Sequence, residues 1–288
     1  MATDTLVANL ISLAAEQRGL VTSRQAREIS SVTPQQLKRL TDSGVLERLH
    51  HGLYRLARIP HDENMDVRVA WFAIDPGAVA WQRLRQNVPT GVVSHRTAAE
   101  LHQLGDLAAD VVELTATRRI RLSLSDVTIH RGPLTRDDWQ IVDELPVTTP
   151  VRTIGDLAAA SLDSGHLASI VRDALIRNLA TTEDVLAVLA PHAFAYGYRA
   201  LDGQAFLDAL IEQAGVPVNT LALADIARRQ SGISDRSMNS TQEPVPQALA
   251  ASPLDPATLN SLQQAVANLH KVDPGILEAI GRLTRMKE

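Results

Sequence analysis

Residues 19–59 read GLVTSRQAREISSVTPQQLKRLTDSGVLERLHHGLYRLARI, and this stretch decides the fold of the first part of the chain. Thr22 is a good N-cap for a helix carrying Arg24, Ala26, Arg27 and Ile29. Ser30-Ser31-Val32 makes a turn. Thr33 then caps a second helix whose first position is Pro34, where a missing N–H costs nothing. Gly44 ends that helix, as a residue tolerant of left-handed backbone should. Two short strands follow, Val45–Leu49 and Leu53–Ala57, joined through His50-His51-Gly52. Helix, tight turn, helix and hairpin in this order spell a winged helix-turn-helix. Upstream, Leu6, Leu10, Leu13 and Ala14 recur at helical spacing and predict one more helix over Asp4–Arg18, stopped by Gly19.

The second helix of the pair has two unlike faces. At about 100° per residue, Leu37, Leu40 and Thr41 fall on one side. Gln35, Lys38, Arg39 and Asp42 fall on the other, with Gln36 and Ser43 on its flank. Glutamine is suited to bidentate contact with adenine, and Arg or Lys to guanine or phosphate. In the hairpin, Arg48, His50, His51, Arg55 and Arg58 form a cationic wing suited to a phosphate backbone or a minor groove. The candidate DNA-binding set is therefore Arg24, Arg27, Thr33, Gln35, Gln36, Lys38, Arg39, Ser43, Arg48, His50, His51 and Arg55. His50 and His51 are not expected to hold a metal, because neighbours on a strand face opposite ways and no third ligand lies nearby.

Charge follows the same division. Residues 1–59 hold eight Lys and Arg against five Asp and Glu, a net +3, in a chain of 288 residues whose total is −5. The remainder is thus −8. A basic head on an acidic body is the asymmetry expected when one domain meets nucleic acid.

The chain is long enough for two or three cores. At 45% hydrophobic and 3% aromatic, those cores are built of Leu, Ala, Val and Ile, and stacking platforms for single-stranded nucleic acid are not expected. The absence of cysteine excludes disulfides and Cys-ligated zinc. No signal-peptide pattern or membrane-length apolar run is present, so a soluble, cytoplasmic protein is expected.

Beyond Pro60 the pattern predicts helices over 64–75 and 77–86, a strand at Val92-Val93, and a helix capped by Ser94 and closed by Gly105. Strands are expected at Val111–Ala116, Ile120–Leu124 and Val127–Arg131, with an extended stretch at Pro146–Pro150. Helices dominate Val151–Leu189 and recur at Leu201–Ala214 and Asn219–Gln230. The fold class is α+β: an N-terminal winged helix-turn-helix, a mixed α/β body and a helical C-terminal region. The expected division is 1–59 for DNA binding, 60–190 for a mixed α/β domain, 191–230 for its helical continuation, 231–257 for a Ser/Pro/Asn/Gln linker, and 258–288 for C-terminal helices.

Patterns for catalysis are missing. The chain has no Gly-rich phosphate loop, nucleophile elbow, His-Glu-x-x-His or EF-hand loop. Ser94 is read as a cap, since an adjacent Ser and His at a helix start do not readily form a nucleophile–base bond. Catalysis, cofactors and metals are therefore not expected. Arg118, Arg119, Arg121, His130 and Arg131 form a second basic cluster, either a solvated sheet face or a contact surface for DNA or an acidic partner.

Residues 19–57 resemble the N-terminal winged helix of AbiEi-type antitoxins, and VVSHRTAAELHQLGDL (92–107) and LPVTTPVRTIGDLAAA (145–160) resemble the domain that follows it in that group. The resemblance covers about the first two-thirds of the chain. It implies an antitoxin that represses its own promoter by binding double-stranded DNA and neutralises a companion nucleotidyltransferase-like toxin. Carried over by position, DNA contacts fall on Gln35, Gln36, Lys38, Arg39, Arg48 and Arg55. The turn Ser30-Ser31-Val32 departs from the usual form in being one residue longer and lacking glycine. A ligand-responsive winged-helix transcription factor unrelated to a toxin is the alternative.

Overall fold

The computed structural model describes residues 2–122 and 124–215, which form an α+β protein of two compact units, divided between Arg85 and Gln86. The helix expected at Asn219–Gln230, the 231–257 linker and the final helices lie outside the described residues.

In the first unit α1 (Ala2–Ala15) leads through Gly19 into β1 (Leu20–Thr22), α2 (Ser23–Glu28), α3 (Pro34–Asp42), β2 (Leu46–His50) and β3 (Leu53–Leu56). Helix α1 stops at Ala15, three residues short of the expected Arg18. Gly19 sits at φ +85°, and a β-carbon there would lie 2.9 Å from Ile59 Cδ1, so turn and close approach both demand glycine. The strand β1 was not legible in the sequence, being three residues wedged between helices. It pairs antiparallel with β3 (Leu20↔Arg55, Thr22↔Leu53), and β2 pairs with the other side of β3, giving the order β1-β3-β2. Leu10, Ala14, Ala26, Leu37, Leu40, Val45, Leu46 and Leu56 close a core between this sheet and the three helices.

The unit runs past Pro60, where the sequence placed its end. Helices α4 (Met65–Ile74) and α5 (Ala80–Leu84) belong to it, and Val79 joins its core. A buried pair of glutamines explains why. Gln17 and Gln25 exchange two amide hydrogen bonds, 3.2 and 3.1 Å. Gln25 also donates to Ala78 O at 2.8 Å, while Gln17 Oε1 accepts the Ala80 N–H at 3.0 Å. Inward, Gln17 donates to Leu20 O and Gln25 Oε1 accepts the Thr22 N–H. The Thr22 hydroxyl both caps α2 and donates to Pro76 O. Thus α1, β1, α2 and the α4–α5 connector meet at one buried, fully bonded knot. Between α4 and α5, the buried Arg83 lies 3.7 Å from the centroid of the Trp71 ring and donates to Trp71 O at 2.6 Å. Burial pushes that guanidinium down to about 9, still charged at neutral pH.

The second unit contains β4 (Val92–Val93), α6 (His95–Leu101), β5 (Val112–Ala116), β6 (Val127–Arg131), β7 (Trp139–Val142) and β8 (Leu145–Thr148). Then come α7 (Pro150–Ala159), α8 (Ser164–Ile176), α9 (Thr182–Leu189), a 3₁₀ helix (Ala190–Tyr196) and α10 (Gly203–Gln213). The mixed sheet has the order β6-β5-β4-β8-β7, with β5–β6 and β4–β8 parallel. Thr149, Asp163, Thr181 and Asp202 cap α7, α8, α9 and α10 with their side chains. Ile154, Leu157, Leu167, Ile170, Val171, Leu189, Phe206 and Leu210 form the helical core. Gly203 permits tight crossing: a β-carbon there would sit 2.9 Å from both Ala190 Cβ and Leu186 O.

Two expectations for this unit fail. No strand forms at Ile120–Leu122 or at Leu124, because β5 and β6 run parallel and the residues between them must carry the chain back to the start of β6. Ser94 occupies the cap position of α6 but makes no capping bond; its hydroxyl instead meets His95 Nδ1 at 2.9 Å and Thr115 Oγ1 at 2.8 Å. The adjacent Ser and His do form the hydrogen bond that the sequence argument discounted. His95 reaches it by taking a left-handed backbone, φ +52°.

The glutamine knot makes a quantitative prediction. Gln25→Ala strands several buried polar groups and should cost about 2–4 kcal/mol. Thr33→Ala removes an exposed cap and should cost about 1 kcal/mol. Urea unfolding of the full chain, followed by circular dichroism, compares the two; equal losses would show that the knot carries no special weight.

Candidate nucleic-acid interface

Helix α3 is built to stand at a fixed angle with one face outward. Its start is a reciprocal capping box: Gln36 N–H donates to Thr33 Oγ1 at 3.3 Å, and Thr33 N–H donates to Gln36 Oε1 at 2.8 Å. Pro34 occupies the first helical position. Leu37 and Leu40 are buried, and Thr41 bonds back to Leu37 O at 2.9 Å, so the helix cannot roll without leaving the core. Gln35, Lys38, Arg39 and Asp42 are exposed, as the periodicity implied.

These outward groups differ in how free they are. Gln35 and Arg39 make no ion pair or side-chain hydrogen bond among the described residues. Lys38 pairs with Asp42 at 2.7 Å, an exposed contact that a phosphate can displace at little cost. Thr33 and the Gln36 carbonyl are committed to the cap, which leaves the Gln36 amide nitrogen as the group to offer. The Ser43 hydroxyl donates to Leu40 O at 3.1 Å and serves the helix end.

On α2, Arg24 and Arg27 are brought together by Glu28, at 3.0 and 3.4 Å. The hydrogen bond from Arg24 holds the Glu28 carboxyl below the usual carboxylate range, against the opposing effect of desolvation. Sequence reasoning missed Glu28 as part of this surface, although the Arg24–Glu28 spacing of four on a helix signals the pair.

At the hairpin tip, Arg48 folds over its own turn. Its Nε donates to His50 O at 3.3 Å, and a terminal nitrogen lies 3.0 Å from His51 Nδ1. A register shift between Arg48 and His50 and a positive φ of 74° at Gly52 shape this tip. Arg48, His50 and His51 are all exposed there.

Arg55 does not join them. It is 8% exposed, donates to Glu47 at 2.5 Å and to Ile59 O at 2.9 Å, and ties β3 to β2 and to the chain leaving the sheet. Its hydrogen bond also keeps the Glu47 carboxyl below the usual range. Arg55 shares a strand face with the buried Leu53, and period-two alternation accounts for its inward position. The hairpin therefore presents one arginine and two histidines from the expected set, rather than two of each.

No cluster of three or more His, Asp or Glu able to hold a metal occurs among the described residues. No helix among them is long and apolar enough to cross a membrane.

No curated protein matches this chain. Residues 10–57, from the middle of α1 to just past β3, match the family of transcriptional regulators described as AbiEi antitoxins. The helix-turn-helix segment with its hairpin is thus similar to that of AbiEi-type antitoxin regulators.

Proposed function

We propose that the N-terminal unit acts as a winged helix on double-stranded DNA at the protein's own promoter, and that the chain also neutralises a companion nucleotidyltransferase-like toxin. The observation that carries the first half is the rigidly capped α3, with Gln35, Lys38 and Arg39 outward, followed by an Arg48–His51 tip, all within the segment that matches antitoxin regulators. In this reading α3 enters the major groove, where Gln35 and Arg39 meet base edges and Lys38 exchanges Asp42 for phosphate. The Arg48 tip and the Arg24–Arg27 pair hold the flanking backbone. In this reading the protein acts in the cytoplasm, where its operator lies. The second half rests on the antitoxin family of residues 10–57 and on the net charge of −8 beyond residue 59.

Fluorescence anisotropy with DNA from upstream of the gene tests the first half. Lys38→Ala with Arg39→Ala should weaken binding by about 1–3 kcal/mol for each base-reading side chain removed. Affinity should fall steeply with salt through counterion release, and less steeply in the double variant. Unchanged affinity would remove α3 as the reading helix.

Arg48 and Arg55 should separate cleanly. Arg48→Ala lowers affinity and leaves the unfolding midpoint in place. Arg55→Ala costs about 1–3 kcal/mol of stability, since it removes a buried side chain whose hydrogen bonds tie β3 to Glu47 and to Ile59 O. Growth rescue on co-expressing the full chain with the adjacent gene tests neutralisation. A toxic neighbour that the chain fails to rescue would favour a ligand-responsive regulator instead.

A further inference from the structure

Within the second unit, Ser94 and His95 at the start of α6 meet Glu113 and Thr115 of β5 and His130 of β6. Ser94 is fully buried, Thr115 is 2% exposed and His95 8%. The Thr115 hydroxyl donates to Ser94 Oγ at 2.8 Å. With Thr115 donating to Ser94 Oγ, the Ser94 proton finds an acceptor in His95 Nδ1, 2.9 Å away, in the tautomer that leaves this nitrogen unprotonated. Against His95 lies the imidazole of His130, stacked with centroids 3.6 Å apart and planes within 18°. His130 Nε2 reaches Glu113 Oε1 at 3.1 Å, and the second Glu113 oxygen accepts the Arg96 N–H at 2.8 Å. The Glu113 N–H in turn donates to Thr97 Oγ1 at 2.9 Å. The first turn of α6 is sewn to β5 through Glu113 and Thr97, and to β6 through the stacked rings.

The charges facing His95 are His130 from β6, Glu113 from β5, and Arg152 and Asp156 from α7. Arg152 is itself engaged by Asp138 and Asp156, at 3.2 and 2.8 Å. A proton on His130 is matched by Glu113. A second proton, on His95, has no such place: it sets two cations face to face and reverses the bond to Ser94, whose own buried hydroxyl proton then loses its acceptor. His95 also holds a left-handed backbone that a non-glycine residue keeps only while its contacts compel it.

We propose that the His95–His130 stack is a proton-operated latch: the pair accommodates one proton through Glu113, and a second parts the rings and frees the first turn of α6 from β5 and β6. Burial, and then the charge of His130, hold His95 below its ordinary value near 6.5. A histidine lowered by folding contributes stability above its unfolded value and loses it as pH falls through and below that value. Glu113 is also lowered, by His130 and the Arg96 N–H against the opposing effect of burial, so its own loss comes only below the ordinary carboxylate value of 4.5. His102, buried and bonded to Thr148 O at 2.7 Å, is lowered too and adds to acid sensitivity elsewhere on α6, so the readout must be local.

Amide hydrogen exchange of the full chain between pH 7.5 and 5, corrected for intrinsic rates, supplies that readout at Arg96, Thr97, Ala98 and Glu113. Protection there should fall below about pH 6.5, approaching tenfold per pH unit for one linked proton. His130→Gln removes the repelling charge and should move the loss to lower pH or flatten it. Glu113→Gln deprives His130 of its counter-charge and should move the loss to higher pH. Protection independent of pH in the wild type, or a His130→Gln profile that matches it, would overturn the latch. Should either variant misfold, imidazole carbon shifts of the wild type decide. Two coupled titrations support the latch, and two independent ones at ordinary values overturn it.

Discussion

The first unit hangs on the exchange of amide hydrogen bonds between Gln17 and Gln25. An amide in a protein interior is tolerable only when every donor and acceptor is met, and here, besides each other, the glutamines find their partners on β1 and on the connection into α5. That requirement fixes where α1 ends, how β1 enters the sheet, how α2 is tilted, and where the α4–α5 connector must lie. An apolar pair of the same size would fill the space but would accept many neighbouring arrangements. The glutamines accept one. The helix-turn-helix is therefore oriented from beneath, by a bonded knot, before any of its outward residues is considered.

From that base the surface sorts itself by the freedom of each charge. Arg55 and Arg24 carry the same group, yet one closes the sheet and the other stays exposed beside Glu28. A guanidinium that is already hydrogen-bonded on buried sides has no geometry left for a groove. One held by a single exposed carboxylate exchanges partners readily. Counting basic residues over the wing overstates the surface for this reason. Their hydrogen-bond partners, more than their number, define what a nucleic acid would meet.

Local rules carried much of this architecture into view from the sequence. Thr22 and Thr33 as caps, Pro34 after its cap and Gly44 after its helix are statements about adjacent residues, and each took the expected place. Arg55 was misplaced although its parity with Leu53 was legible, because its charge was weighed ahead of its face. The boundary at Pro60 was misplaced for a different reason. Nothing near Gln17 or Gln25 announces that their amides will meet Ala80 and Ala78. The meeting of Ser94, Glu113, Thr115 and His130 likewise depends on the order in which strands join the sheet. No spacing along the chain encodes that order.

The outer position of β6 has one more consequence. It pairs with β5 on one side only, so among the described residues its other edge offers unpaired backbone groups, the natural template for unwanted strand addition. The strand is five residues long, ends in Arg131, and lies beside the exposed Arg118 and Arg119 that leave β5 at the same end. A second copy approaching parallel and in register would bring these guanidinium groups against their own kind. The arginines that look like a binding patch thus also put charge at an open sheet edge, where charge disfavours the addition of a further strand.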